Sequence, residues 1–236
     1  LYVRAVEDRF TLSLDSSGEP LYKRGLKAGP ARAPIRETLA AAMLMAAGYD
    51  SRRPLVDPLC GSGTFSLEAA MMAKQMAPGL KREFAFMGWP AFREDQWAFL
   101  KREAESHMTV LDHPLIFASD IDGGACQRLS GLILGNGLSD AVKVAQKDVF
   151  QCEANQYGGG QGLVTINPPY GIRIGSANQA AILFNRICRH LVQRFNGWEV
   201  VLIAPRDLVR QLPFATRRLP LFHGGLKLTL IVGTIQ

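Results

Sequence analysis

Leu55-Val56-Asp57-Pro58-Leu59-Cys60-Gly61-Ser62-Gly63-Thr64 decides the fold of this chain. A short apolar run ends on an acid and passes through two closely spaced glycines into a helical pattern. Gly61 and Gly63 have no Cβ, so the backbone can turn tightly and a ligand can approach it closely. A helix opening at Ser62 to Thr64 presents backbone N–H groups without intrahelical partners, suited to a carboxylate as much as a phosphate. No Gly-Lys-Ser/Thr follows, which disfavours a phosphate-gripping P-loop. On this loop alone a dinucleotide fold stays open. A strand–turn–helix of this kind belongs to an open α/β sheet, whose ligands lie beyond the carboxyl ends of the strands.

Outward from this loop the pattern repeats. Pro34 begins a helical stretch, and the helix after the glycine turn extends to about Met76. Pro78 to Asp95 is irregular and aromatic, and a helix follows from Asp95 to Ser106. Strands are predicted at Leu115–Ala118, Val142–Ala145, Leu163–Ile166, Glu199–Ala204 and Leu226–Val232, the last paired with Leu219–Phe222. Helices separate them at Gly124–Gly135 and Ala177–Phe195, with a short one at Leu208–Leu212, and Tyr157–Gly162 reads as a flexible loop. Strands alternating with crossover helices predict a mostly parallel sheet covered on both faces. Residues 1–30 read as an appendage in which Arg9–Leu14 returns as a hairpin through Glu19–Gly25; residues 31–236 read as the main domain.

Composition narrows the class. At 236 residues and 47% hydrophobic, the chain can bury one substantial core. No apolar run approaches the roughly 18 residues of a membrane span, and there is no basic-then-apolar leader; a cytoplasmic protein without a membrane partner is expected. The first residue is Leu1 rather than Met, so the sequence reads as an excised piece of a longer chain. Cys60, Cys126, Cys152 and Cys188 are widely spaced and form no metal-binding pair, which argues against a structural metal and fits a reducing compartment. Net charge is +6. Lys23, Arg24, Lys27, Arg32 and Arg36 form a run without an acid, and Arg206, Arg210, Arg217 and Arg218 cluster against Asp207 alone. Both suit a polyanionic partner. The oligomeric state is not legible.

Three more strand ends carry polar groups. Asp120 can accept from both hydroxyls of a ribose, with Asp122 as its alternative or as the cap of the next helix. Asp148 is placed to accept from an adenine amine, with Val149 or Phe150 lining the ring. The most specific signal is Asn167-Pro168-Pro169-Tyr170-Gly171. Two prolines fix two φ angles and remove two donors, leaving the Asn167 side-chain oxygen and the Pro168 carbonyl as acceptors for the two N–H groups of an exocyclic amine. Tyr170 can stack on the base, which contributes about 1–3 kcal/mol. The chemistry expected is in-line transfer of a sulfonium methyl to that nitrogen, driven by positioning and desolvation. His107 and His113 sit in a helix–strand connection and read as structural, and Cys60 reads as a small packing residue.

On these motifs the chain resembles the class I S-adenosylmethionine-dependent methyltransferases. More narrowly it resembles the catalytic domain of the THUMP-associated RNA guanine-N2 methyltransferases, formerly described as N6-adenine-specific DNA methylases. The likeness includes Leu12-Ser13-Leu14-Asp15, Leu21-Tyr22-Lys23-Arg24-Gly25, Ala33 to Ala40, Asp57 to Ala70, Phe86-Met87-Gly88-Trp89, Ser119-Asp120-Ile121-Asp122 and Asn167 to Gly171. It implies a Rossmann-like, mostly parallel seven-stranded sheet with helices on both faces. It also implies that Asp57, Pro58, Cys60, Gly61, Gly63 and Thr64 hold the methionine part of S-adenosylmethionine, that Asp120 and Ile121 meet the ribose, and that Asp148 and Val149 lie near adenine. Pro34 to Thr38 would close the cofactor site. Asn167, Pro168, Pro169 and Tyr170 would form the catalytic turn, Asn167 also touching the cofactor. Relatives methylate the guanine 2-amino group in 23S ribosomal RNA or in transfer RNA, so RNA is the implied partner, ribosomal RNA first. They carry an upstream RNA-binding domain that is not part of this sequence. One departure stands out: where relatives have alanine–arginine–x–asparagine in the helix after Asp122, this chain has Leu129-Ser130-Gly131-Leu132. Adenine-N6 methylation of DNA or RNA, methylation of a protein glutamine amide, and a non-catalytic RNA-binding module remain open alternatives. A nicotinamide dehydrogenase is the outlying one.

Overall fold

The computed structural model describes residues 1–27, 35–158, 160–169, 177–209 and 212–236. Its centre is a seven-stranded sheet built from β3 (Leu55–Asp57), β4 (Ile116–Asp120), β5 (Val142–Gln146), β6 (Leu163–Ile166), β7 (Glu199–Pro205), β8 (Thr216–His223) and β9 (Leu226–Thr234). The spatial order is β5-β4-β3-β6-β7-β9-β8. From β5 to β7 every pairing is parallel; β9 runs antiparallel to β7 and β8 antiparallel to β9. This is the Rossmann-like architecture expected from the sequence.

Residue alternation along the strands builds the two layers. Leu55, Leu163, Val201 and Ile203 face one core with helices α1 (Glu37–Ala46), α2 (Thr64–Ala73) and α4 (Gly123–Gly135). Val56, Val164, Val200 and Leu202 face a second core closed by α5 (Ala177–Arg194), through Phe184, Ile187 and Leu191. Both faces of the central strands are therefore dry, which is why they read as continuous apolar runs. The remaining helix, α3 (Glu94–Ser106), buries none of its residues fully. Trp97 on it packs edge-on to Phe84 and Phe86, gathering the aromatic stretch noted in the sequence.

The N-terminal piece differs from expectation. Its hairpin joins β1 (Tyr2–Val6) to β2 (Arg9–Ser13) through Glu7-Asp8, with Val6 opposite Arg9. Glu7 takes a positive φ of 52°, a role that the usual Asn-Gly signature would have announced. Glu19–Gly25 forms turns rather than the returning strand. The short helix expected at Leu208–Leu212 is a turn over its described residues, and the helix after the glycine loop stops at Ala73 rather than Met76. The Tyr157–Gly162 stretch is not open coil throughout. Ala154–Tyr157 forms a 3-10 turn, and at Gly162 a Cβ would lie 2.5 Å from the Trp198 ring.

The basic run at Lys23 to Lys27 turns out to be spent internally. Arg24 Nε and Nη2 donate to the two carboxylate oxygens of Glu68 on α2, at 3.0 and 3.2 Å, with side chains only 11% and 4% exposed. Lys27 Nζ donates to Glu37 and to Thr64 Oγ1, and Lys23 pairs with Glu19. Glu19 and Glu37 lie just outside the run and Glu68 comes from 44 residues further on, so a count of charge within the run misses them. Arg82 completes the attachment, donating to the carbonyls of Ser17 and Pro20. Burial raises the Glu68 carboxyl above its ordinary range while Arg24 pulls it down, so removing the guanidinium strands a buried acid. Arg24→Ala should therefore lower unfolding free energy in urea by about 3 kcal/mol, and Arg24→Met with Glu68→Leu should restore most of it. Equal stability of Arg24→Ala and the parent would contradict the burial argument.

Candidate functional site

Chain direction reverses between β3 and β6. From β3 the chain moves outward to β4 and β5, then returns to the other flank of β3 as β6. Ligands of open α/β sheets sit at such a switch point, and here it brings together the ends of both motifs. Val56 pairs with Val164, so Asp57 and Asn167 stand at the carboxyl ends of adjacent strands.

On the β3 side the loop is held by its own acids. Asp57 is 2% exposed, and its Oδ2 accepts from Ser66 Oγ at 2.7 Å. The Ser66 backbone N–H also favours its charged form, so Asp57 caps the N-terminal turn of α2 from below. Burial pushes this carboxyl up to about 6, with the Ser66 and Thr165 hydroxyls pulling it back. Asp57 is thus satisfied inside the domain and braces the loop rather than facing the open side. Asp120 bridges outward: Gly61 N–H donates to its Oδ2 at 2.9 Å and Asp122 N–H to its Oδ1 at 3.0 Å. Each oxygen keeps one lone pair, enough for a pair of ribose hydroxyls.

The loop donors are thus committed more fully than expected. Cys60 N–H donates to Ser119 O at 2.9 Å and Gly63 N–H to Cys60 O at 2.7 Å. Cys60 and Pro58 are buried, and burial drives the Cys60 thiol far up, consistent with a packing role. Gly63 has φ 74°, and a Cβ there would come within 2.2 Å of Leu129. Leu129 stands where the resemblance expects alanine, so this departure is absorbed by packing under the glycine turn. Gly61, at φ 50°, differs: a Cβ would meet nothing within 4 Å. The open side of the loop is the side a ligand can occupy. Thr64 is buried and bound to Lys27, while Thr38 is exposed at the start of α1.

Beside the loop, Ile121 is an apolar side chain 67% exposed next to Asp120, as a wall for a flat ring would be. Asp122 caps α4, accepting from Gly124 N–H at 2.8 Å, which is its structural alternative. Asp148 Oδ1 accepts from Phe150 N–H at 3.0 Å, and Val149 beneath it is buried.

On the β6 side, Thr165 and Ile166 are buried, Asn167 is half-buried and Pro169 is exposed. Asn167 Oδ1 is itself buried and has no hydrogen-bond partner among the described residues. Leaving a buried acceptor unpaired costs about 1–3 kcal/mol, and it lies where the prolines offer no donor. Tyr170 and Pro34 lie outside the described residues. A cavity of about 920 Å³ opens elsewhere, lined by Tyr22, Arg24, Arg36, Glu68, Lys81 and His223 among others. Several of its charged walls are already paired, and its lining includes Ile35 to Glu37 of the segment expected to close the cofactor site but no residue of the strand-end motifs; the switch point remains the candidate site.

The second basic cluster does not form as a unit. Arg206 follows the carboxyl end of β7, and Lys227 begins β9 beside it. Arg217 and Arg218 open β8, which runs parallel to β7 through β9, so they lie at the opposite end of the sheet; Arg217 donates to Ala46 O. Arg210 lies outside the described residues. Among the described residues there is no group of His, Cys, Asp and Glu that could hold a metal, and no helix long and apolar enough to cross a membrane.

Residues 24–229 match the family described as UPF0020, RMKL-like, methyltransferase domain. YpsC of Bacillus subtilis is 33% identical over 228 residues, spanning 95% of this chain and 58% of its own. The ribosomal RNA large subunit methyltransferase K/L of Vibrio parahaemolyticus is 35% identical over 212 residues, 88% of this chain and 30% of that protein. Among solved structures, SMU.472, crystallised as a complex with SAH, matches with TM-score 0.85 and 30% identity over 99% of this chain and 61% of its own. The chain thus spans under two thirds of each of these relatives.

The buried acid at the β3 end gives a prediction with a definite sign. Asp57 has an ordinary value of 3.8 and a folded value of about 6, so the folded state holds this proton more tightly. Its contribution favours folding below the ordinary value and is lost as pH rises through the folded one. Relative to Asp57→Asn, the parent should lose about 3 kcal/mol of stability between about pH 4 and pH 6, measured by urea unfolding. Parallel stability curves for the two proteins would contradict it.

Proposed function

Because the chain belongs to the RMKL-like methyltransferase-domain family, we propose that it transfers the methyl group of S-adenosylmethionine to the exocyclic N2 amine of a guanosine in RNA, large-subunit ribosomal RNA first. The observation that carries this reading is the orphaned acceptor Asn167 Oδ1 at the switch point. A buried oxygen without a donor suits a substrate that brings N–H groups, and a base amine brings two.

The site residues fit the cofactor. Gly61 leaves open space over the loop, Asp120 retains acceptor capacity toward ribose, and Ile121 and Asp148 frame a ring with an amino group at its edge. When bound, S-adenosylmethionine supplies an electrophilic methyl on sulfur. Asn167 Oδ1 and the Pro168 carbonyl accept hydrogen bonds from the two amine N–H groups and hold the nitrogen with its lone pair directed across the switch point. Such acceptors favour the transition state because the amine gains positive charge as the N–C bond forms. No strong base is needed, since the ammonium proton becomes acidic as the bond forms, and the loss can go to solvent. For its target to reach Asn167, a base has to leave its stack.

The RNA backbone has a natural place at the same end of the sheet. Arg206 and Lys227 stand beside the β7 end, next to β6. Replacing both by Ala should weaken RNA binding and reduce the slope of log affinity against log salt by about 1.4, as two contacts to a single-stranded backbone would. An unchanged slope would move the RNA path elsewhere.

Asn167→Ala tests the central role. It should lower methyl transfer to RNA by about 10²- to 10³-fold while S-adenosylhomocysteine affinity, read by calorimetry, stays within about threefold. Turnover equal to the parent would remove Asn167 from the mechanism.

A further inference from the structure

α5 leaves the target loop and closes the second core. Its apolar side chains suffice for that burial, yet it carries a polar stripe at four-residue spacing: Arg186, His190 and Arg194. Such residues share one helix face. All three converge on the segment that follows Asp148. The Arg186 guanidinium lies 4.5 Å over the centre of the Phe150 ring, a cation–π contact. His190 is 8% exposed, with Nε2 2.8 Å from the Cys152 carbonyl. A carbonyl only accepts, so Nε2 carries the proton. The same imidazole meets the Phe150 ring edge-on, with centroids 5.6 Å apart. Arg194 Nη1 is 3.4 Å from Glu153 Oε1.

Asp148 grips the segment from its other end. Its Oδ1 accepts from Phe150 N–H and its carbonyl from Gln151 N–H at 2.9 Å. The turn is fixed between the acid at the end of β5 and the helix that issues from the target loop.

We infer that Arg186, His190 and Arg194 are positioning residues for the cofactor's adenine. By clamping Phe150, Cys152 and Glu153 they set where Asp148 and Val149 stand, and they tie the adenine pocket to the helix behind the Asn-Pro-Pro turn. The inference rests on the proposed reading of the site as one for S-adenosylmethionine. Its signature is selectivity: a fixed Asp148 accepts from the adenine amine and repels a keto oxygen at the same place, as sites built around one hydrogen bond do.

The test measures calorimetric affinity of the intact chain for S-adenosylhomocysteine and for S-inosylhomocysteine, which has a keto group in place of the amine. The parent should prefer the adenine ligand. His190→Phe and Arg186→Ala together should weaken S-adenosylhomocysteine about tenfold and shrink that preference. His190→Gln, which restores a donor, should recover part of both. A preference unchanged from the parent, or equal losses for both ligands, would overturn the clamp. Should His190→Phe fail to fold, Arg186→Ala alone, at an exposed position, gives the same reading. A parent that binds neither ligand overturns the cofactor reading and the clamp with it; a parent that binds both equally overturns the Asp148 contact and the clamp, and leaves the cofactor reading standing. A parent with normal preference and indifferent variants overturns the clamp alone.

Discussion

The reversal of strand order between β3 and β6 constrains everything at the carboxyl edge of this sheet. Crossovers leave these neighbouring strands in opposite directions, so no helix roofs the gap between their ends. Into it the chain sends one loop that must be tight, after β3, and one turn that must be stiff, after β6. The first is braced by carboxylates: the buried Asp57 caps α2 and the half-buried Asp120 holds Gly61 N–H. The second is braced by prolines that give up their donors. One wall thus retains acceptor capacity at Asp120, and the other retains an unpaired acceptor at Asn167. A site lined on both sides by acceptors calls for ligands that donate: ribose hydroxyls on one side and an amine on the other.

Much of this was legible in the sequence, for physical reasons. Glycine at 61 and 63, the acids Asp57, Asp120 and Asp148 at three strand ends and the Asn-Pro-Pro run are local signals whose meaning is read without distant partners. The central strands β3, β6 and β7 were legible because both of their faces are buried. Charge was misread because it is a long-range property. Arg24 and Lys27 look like a free basic run until Glu68, 44 residues further on, and Glu37 fold against them. Arg206 and Arg217 look like one cluster until the direction of β8 places them at opposite ends of the sheet. The backbone donors of the glycine loop were overcounted in the same way, since Ser119 and Asp120 come from the next strand. The stripe on α5 was visible as spacing, but i, i+4 cations ordinarily mark a solvated face, and only the fold puts the segment after Asp148 beneath them.

The N-terminal piece shows how the site is backed. Arg24–Glu68 and Lys27–Glu37–Thr64 lock residues 15–27 onto α1 and α2, the helices that flank the glycine loop. Cations expected to attract a polyanion serve instead to fix this segment against the two helices. Cations beside the target side, Arg206 and Lys227, stand at the edge where a strand of RNA would pass.

The central claim is that an acceptor-lined turn receives an exocyclic amine, and the proposal that this amine is guanine N2 rests on the family. The most direct measurement is transfer of labelled methyl from S-adenosylmethionine to unmodified large-subunit ribosomal RNA, followed by digestion and nucleoside mass spectrometry. Label in N2-methylguanosine is the predicted result; label in N6-methyladenosine, or in a ribose or ring-carbon methyl, would contradict it.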